Sequence, residues 1–157
     1  GGEFMHASVG GHVRHCLDHL AALADGLSSG VIDYDHRQRG TPVELDPTLA
    51  RTEIARLRTA LSHVAALPHD RAVVVLCMPD REGRPQPLTS TLARELAFVL
   101  SHTIHHQAML RGMCVTMGVT VHSSFGFAPS TLAHHDSMPP EPTVVTLHRK
   151  DDAACAR

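Results

Sequence analysis

Hydrophobic positions recur at steps of three and four residues through three long stretches of the chain, and each stretch predicts an amphipathic helix. The first covers residues 8 to 27. Val13, Leu17, Leu20, Ala24 and Leu27 form its apolar stripe, Ser8, Gly11, His15, Asp18 and Ala22 form a small or polar one, and Ser28-Ser29-Gly30 ends it. His12, Cys16 and His19 fall between the two stripes. A polar connection over residues 31 to 46 leads to Asp46-Pro47, a cap followed by a first-turn proline. The second helix then runs through Ile54, Leu57, Leu61 and Val64 to Leu67-Pro68, and the third occupies the apolar run over residues 92 to 117.

The period changes between the second and third helices. Ala72-Val73-Val74-Val75-Leu76-Cys77-Met78 reads as a strand, its turn signal lies in residues 80 to 85, and residues 87 to 90 are its expected hairpin partner. Pro129-Ser130-Thr131-Leu132-Ala133-His134-His135 offers only a short fourth helix. One clear strand against these helices predicts an all-α fold, a four-helix bundle with a short extended or hairpin insertion between helices two and three. The bundle is expected over residues 5–135, with residues 1–4 before Met5 read as an expression scar and residues 136–157, opening on Pro139-Pro140-Glu141-Pro142, as a tail.

The candidate chemistry sits in Ser101-His102-Thr103-Ile104-His105-His106-Gln107. His102 and His106 are one helical turn apart, on a face shared with Glu95, Val99, Met109, Leu110, Met113 and Met117. Imidazoles on an apolar face need partners, and a divalent ion suits two of them at this spacing. A third histidine from the first helix would complete a site with an open position, as catalytic metal sites have, and spacing leaves His12, His15 and His19 as candidates. Glu95, two turns before His102, is expected in the cavity or behind the ligands. Cys16, one turn from His12 and His19, reads as a small apolar core residue, and His105 as a rim residue. Asp33, Tyr34, Asp35, His36 and Arg37 read for the most part as a solvated loop, with a cover over the cavity mouth as the alternative, and His134 and His135 are placed near a flexible end.

The order of Gly11-His12-Val13-Arg14-His15-Cys16-Leu17-Asp18-His19-Leu20, the stretch from Ile32 through Arg37, Arg94-Glu95-Leu96 and His102-x-x-x-His106 resembles the DinB-like family, and Phe125-Gly126-Phe127-Ala128-Pro129-Ser130-Thr131-Leu132 resembles a loop and cap in one of its branches. The resemblance implies a four-helix bundle, often dimeric, with one divalent metal on His15, His102 and His106. Asp18 matches the family's frequent acidic position three residues after the first ligand, and Glu95, Asp18 and His19 become candidates for supporting the ligands. Zinc, nickel or iron is the expected ion. The implied activity is that of a small metalloenzyme acting on a small molecule, as a thiol-dependent transferase or through metal-activated water. The alternative is a non-catalytic metal-binding or stress-associated bundle.

Composition narrows the classes without naming a reaction. The 14 Lys and Arg against 16 Asp and Glu, with one Tyr, four Phe and no Trp, give neither a basic face nor stacking platforms for nucleic acid. Cys16, Cys77, Cys114 and Cys155 form no CxxC pair, so reduced thiols and a cytoplasmic protein are expected, with no membrane partner and a homodimer implied by the resemblance. HExxH, GxSxG, P-loop and dinucleotide motifs are absent.

Overall fold

The computed structural model describes residues 8–36, 38, 40–81 and 83–137. The expected scar, Arg37, Cys155 and the tail from residue 138 onward lie outside the described residues. Helix α1, Val9–Ser29, starts where the Ser8 hydroxyl accepts from the Gly11 N–H at 2.9 Å, and stops at Gly30, whose φ of 76° is the left-handed geometry that glycine tolerates. Helix α2, Pro47–Val64, is capped by the Asp46 carboxylate on the Thr48 N–H at 2.7 Å, with a proline in its first turn. Helix α3, Leu92–Thr116, is capped by Thr91 on the Arg94 N–H. A 3-10 turn, Pro42–Glu44, precedes α2, and the short helix α4, Pro129–Ser137, buries no residue.

The all-α, DinB-like four-helix bundle expected from the sequence is corrected by a three-stranded mixed sheet in the order β1-β2-β3. Strand β1, Val31–Asp33, runs parallel to β2, Ala72–Cys77, with Ile32 opposite Val75, and α2 forms the crossover between them. Strand β3, Gln86–Thr91, returns antiparallel to β2, placing Ser90 opposite Val73. Val31-Ile32-Asp33 was read as part of a polar connection because three residues are too few to display an alternation. Its pairing is decided by long-range contact. Ile32 is fully buried, and the Val74 N–H donates to Gly30 O at 2.9 Å.

Helix α1 is central and packs on α2, α3 and β1. One apolar cluster joins Leu23, Leu27, Ile32, Val64, Val73, Leu92 and Val99, so α1 and α3 cover the sheet; a second joins Leu17, Ala50 and Leu57 between α1 and α2. The far end of the α3 stripe departs from expectation, because Met117 lies beyond the packed part of the helix and is 58% exposed. Among the described residues no helix is long and apolar enough to cross a membrane.

The approach of β1 to α1 depends on Gly26. A Cβ there would lie 2.6 Å from Val31 O and 3.0 Å from Ile32 Cα, both backbone atoms that cannot swing aside. Replacing an interior helical glycine with alanine ordinarily stabilises by roughly 0.5–1 kcal/mol. Here the overlap reverses the sign, so Gly26→Ala is expected to lower the thermal midpoint, and an unchanged or raised midpoint would refute the close approach.

Candidate metal centre and adjoining cavity

The register of α1 against α3 brings their histidines face to face. His15 and His19 sit one turn apart on α1, and His102 faces them from α3: the His15 and His102 Nε2 atoms are 2.9 Å apart, and the His19 and His102 ring centroids 4.1 Å. One ligand nitrogen from each of His15, His19 and His102 lies within 4.8 Å of the others, close enough to hold a metal ion. The Nδ1 of His19 lies 2.9 Å from the His15 carbonyl oxygen, which can only accept, so Nδ1 carries the proton and Nε2 keeps the lone pair a metal requires. Two imidazole nitrogens 2.9 Å apart must share a proton or converge on a cation. Ligand nitrogens on a tetrahedral zinc ion are roughly 3.3 Å apart, given bonds of about 2.0–2.1 Å, so a small opening of the His15–His102 pair would admit one.

His106 borders the same cluster, with its ring centroid 4.5 Å from that of His15 and 4.6 Å from that of His102. Its Nδ1 is 2.9 Å from Nδ1 of His12, a residue only 5% exposed, whose Nε2 is buried without a hydrogen-bond partner. His105 is exposed beside His106, and His134 and His135 are exposed on α4. Asp18 accepts from Arg14 at 2.6 Å, and Arg14 donates onward to Glu44 at 2.9 Å, tying α1 to the 3-10 turn. Burial pushes the Cys16 thiol up to about 11, which fits the apolar reading of this side chain.

Beside His19 opens a cavity of about 450 Å³, walled by the sheet and the first turns of α3. Its buried part holds a polar network. The Glu95 carboxylate, 6% exposed, accepts from the Tyr34 hydroxyl at 3.0 Å and from the Ser90 hydroxyl at 2.5 Å. Burial, and then the Glu95 charge, raise Tyr34 far above the ordinary phenol range, so the hydroxyl stays a donor. The Tyr34 ring stacks on His19 at 5.5 Å, and Phe98 stacks on His102 at 5.7 Å, so aromatic faces connect the cavity to the histidines. Asp35, Cys77 and Arg94 are exposed side chains on the cavity wall. Asp33 instead folds the loop locally. Partial burial disfavours its charge, but hydrogen bonds from the His36 and Asp35 N–H groups and from the His36 ring outweigh this and hold its carboxyl below the usual range.

Comparison with known proteins adds one partial likeness. No family model and no solved structure matches the chain. It is 33% identical over 105 residues, 66% of its length, to FK506-binding protein 5 of Rhizopus delemar, and it spans about a quarter, 27%, of that protein. That name lends no support to the DinB-like resemblance.

The bonds from Tyr34 and Ser90 to Glu95 are not apparent in the residue order. A signal was present in the single tyrosine of the chain and in a glutamate on an apolar stripe, but the contact spans 61 residues. The thiols provide a check on the site's burial. In native protein at pH 8, a thiol reagent is expected to label exposed Cys77 and to reach Cys16 only on unfolding, as read by peptide mass spectrometry. Rapid native labelling of Cys16 would contradict the packing of α1.

Proposed function

We propose that the chain is a metal-dependent protein that holds one divalent ion between α1 and α3 and acts on a small molecule in the adjoining cavity. The observation that carries this reading is the convergence of ligand nitrogens from His15, His19 and His102 within 4.8 Å. His15 and His102 form the core of the set. His19 completes it in the observed arrangement, and His106, in ring contact with both, stands next to it. The donor set is imidazole throughout and suits zinc, nickel or iron. An ion on neutral ligands keeps its full charge and, when bound, supplies Lewis acidity that lowers the pKa of water or a thiol. The chain's own residues supply an aromatic wall at Tyr34 and Phe98 and a buried carboxylate at Glu95.

The cavity next to the histidines favours this enzyme reading over a purely structural or storage centre, which has no use for a ligand-sized space. The partial likeness supplies a second reading, binding of FK506, which the relative's name records of that protein. Addition of FK506 during the metal experiments tests it, a saturable shift of the thermal midpoint being the expected sign.

Protein purified without an immobilised-metal column is expected to carry about one ion per chain by elemental analysis, and to gain about 2.7 kcal/mol at a free metal concentration near 100 times Kd. His15→Ala, His19→Ala and His102→Ala should each abolish stoichiometric binding, while His106→Ala should retain it. Loss in His106→Ala with retention in His19→Ala would transfer the third position to His106. Full metal content in His102→Ala would overturn the centre itself. With cobalt(II) bound, azide or a small thiol should shift the visible bands saturably; indifference to every small ligand would favour the non-catalytic alternative.

A further inference from the structure

The geometry points to a small monocarboxylate as the ligand of the cavity, recognised by Arg94. This deepens the proposed function by naming a ligand class, and rests on it only for the ion beside His19. The cavity, at about 450 Å³, is metabolite-sized, and Val75, Leu76, Leu88 and Phe98 give it an apolar wall for the body of a ligand. Two acidic side chains and one basic one face the same space: Asp35, Glu95 and Arg94.

Their partners differ. Both oxygens of Glu95 accept from hydroxyls, those of Tyr34 and Ser90, and Asp35 accepts from the Met78 N–H at 2.8 Å. Among the described residues the Arg94 guanidinium makes no hydrogen bond or ion pair, while its backbone N–H donates to the Thr91 hydroxyl. The cavity's unpaired hydrogen-bonding group is therefore a guanidinium, and its planar fork matches a carboxylate through two parallel hydrogen bonds. Every negative charge of a ligand also meets Asp35 and Glu95, so a monoanion fits this cavity better than a dianion such as a phosphate. A cationic ligand would leave Arg94 as a like charge in the same space. Arg94 is exposed while Glu95, Tyr34 and His19 are buried. The carboxylate accordingly sits at the mouth and the remainder of the molecule points inward, toward His19.

Calorimetric titration with matched straight-chain carboxylates, primary amides and primary amines of three to eight carbons tests the assignment, using the full chain with and without bound metal. At least one carboxylate should bind saturably while its amide and amine do not. Arg94→Gln should weaken binding about tenfold or more, the effect of losing charged hydrogen bonds, at an unchanged thermal midpoint. Arg94→Lys should recover only part of the loss. Binding that persists without metal supports Arg94 as the anchor even if the metal reading fails. Carboxylate binding that vanishes without metal and survives Arg94→Gln would place the anion on the ion and overturn the assignment. Preference for the amines, or no carboxylate binding in the whole series, would overturn it too.

Discussion

Imidazoles taken out of water need a partner at each ring nitrogen, and the packing of α1 on α3 buries His12 and His19 and half-buries His15, His102 and His106 beside them. Each neutral ring has one donor and one acceptor. The cluster meets part of this demand internally, through the His19 bond to the His15 carbonyl and two nitrogen-to-nitrogen contacts of 2.9 Å across the helix pair. The His12 Nε2 atom is left unpartnered, a deficit of roughly 1–3 kcal/mol for a buried polar atom. A purely structural interface would gain more from leucines at these positions. Retaining imidazoles whose nitrogens converge makes physical sense when a cation completes them, since binding energy for the ion then adds to folding.

That interface also organises the rest of the site. His19 is shared between the convergent histidines and the cavity, where it stacks on Tyr34, and Tyr34 donates to Glu95. Glu95 in turn holds Ser90 on β3, so the loop after β1, β3 and α3 meet at one carboxylate, which α1 joins through the His19–Tyr34 stack. The sheet is thus part of the site. It supplies Val75, Leu76 and Ser90 to the wall and fixes the distance between the aromatic face and the mouth at Arg94.

Much of this organisation was legible in residue order, and the remainder was not, for identifiable reasons. The three long helices announce themselves by period and by caps at Ser8, Asp46 and Thr91 that are local in sequence. The strand run from Ala72 and its return at Pro87 were legible through β-branched residues around a turn signal. Strand β1 was not, because its three residues carry no pattern and their pairing with β2 closes a separation of more than forty positions. Without β1 the chain looks all-α. Within the site, the helical spacing of His102 and His106 pointed to the α3 face that carries His102, which joins His15 and His19. Ring orientation decides which nitrogens converge, and that is a property of the α1–α3 interface: His19 turns toward His102, whereas the His106 Nδ1 meets His12.

The central claim is that this convergence of imidazoles is a metal centre. X-ray absorption at the edge of the bound metal, recorded on the full chain loaded with one equivalent of zinc, reads the coordination directly. The account predicts a shell of nitrogen or oxygen neighbours at about 2.0–2.1 Å, with the outer-shell scattering of at least three imidazole rings and no sulfur. A sulfur shell near 2.3 Å, or fewer than three imidazoles around the metal, would contradict it.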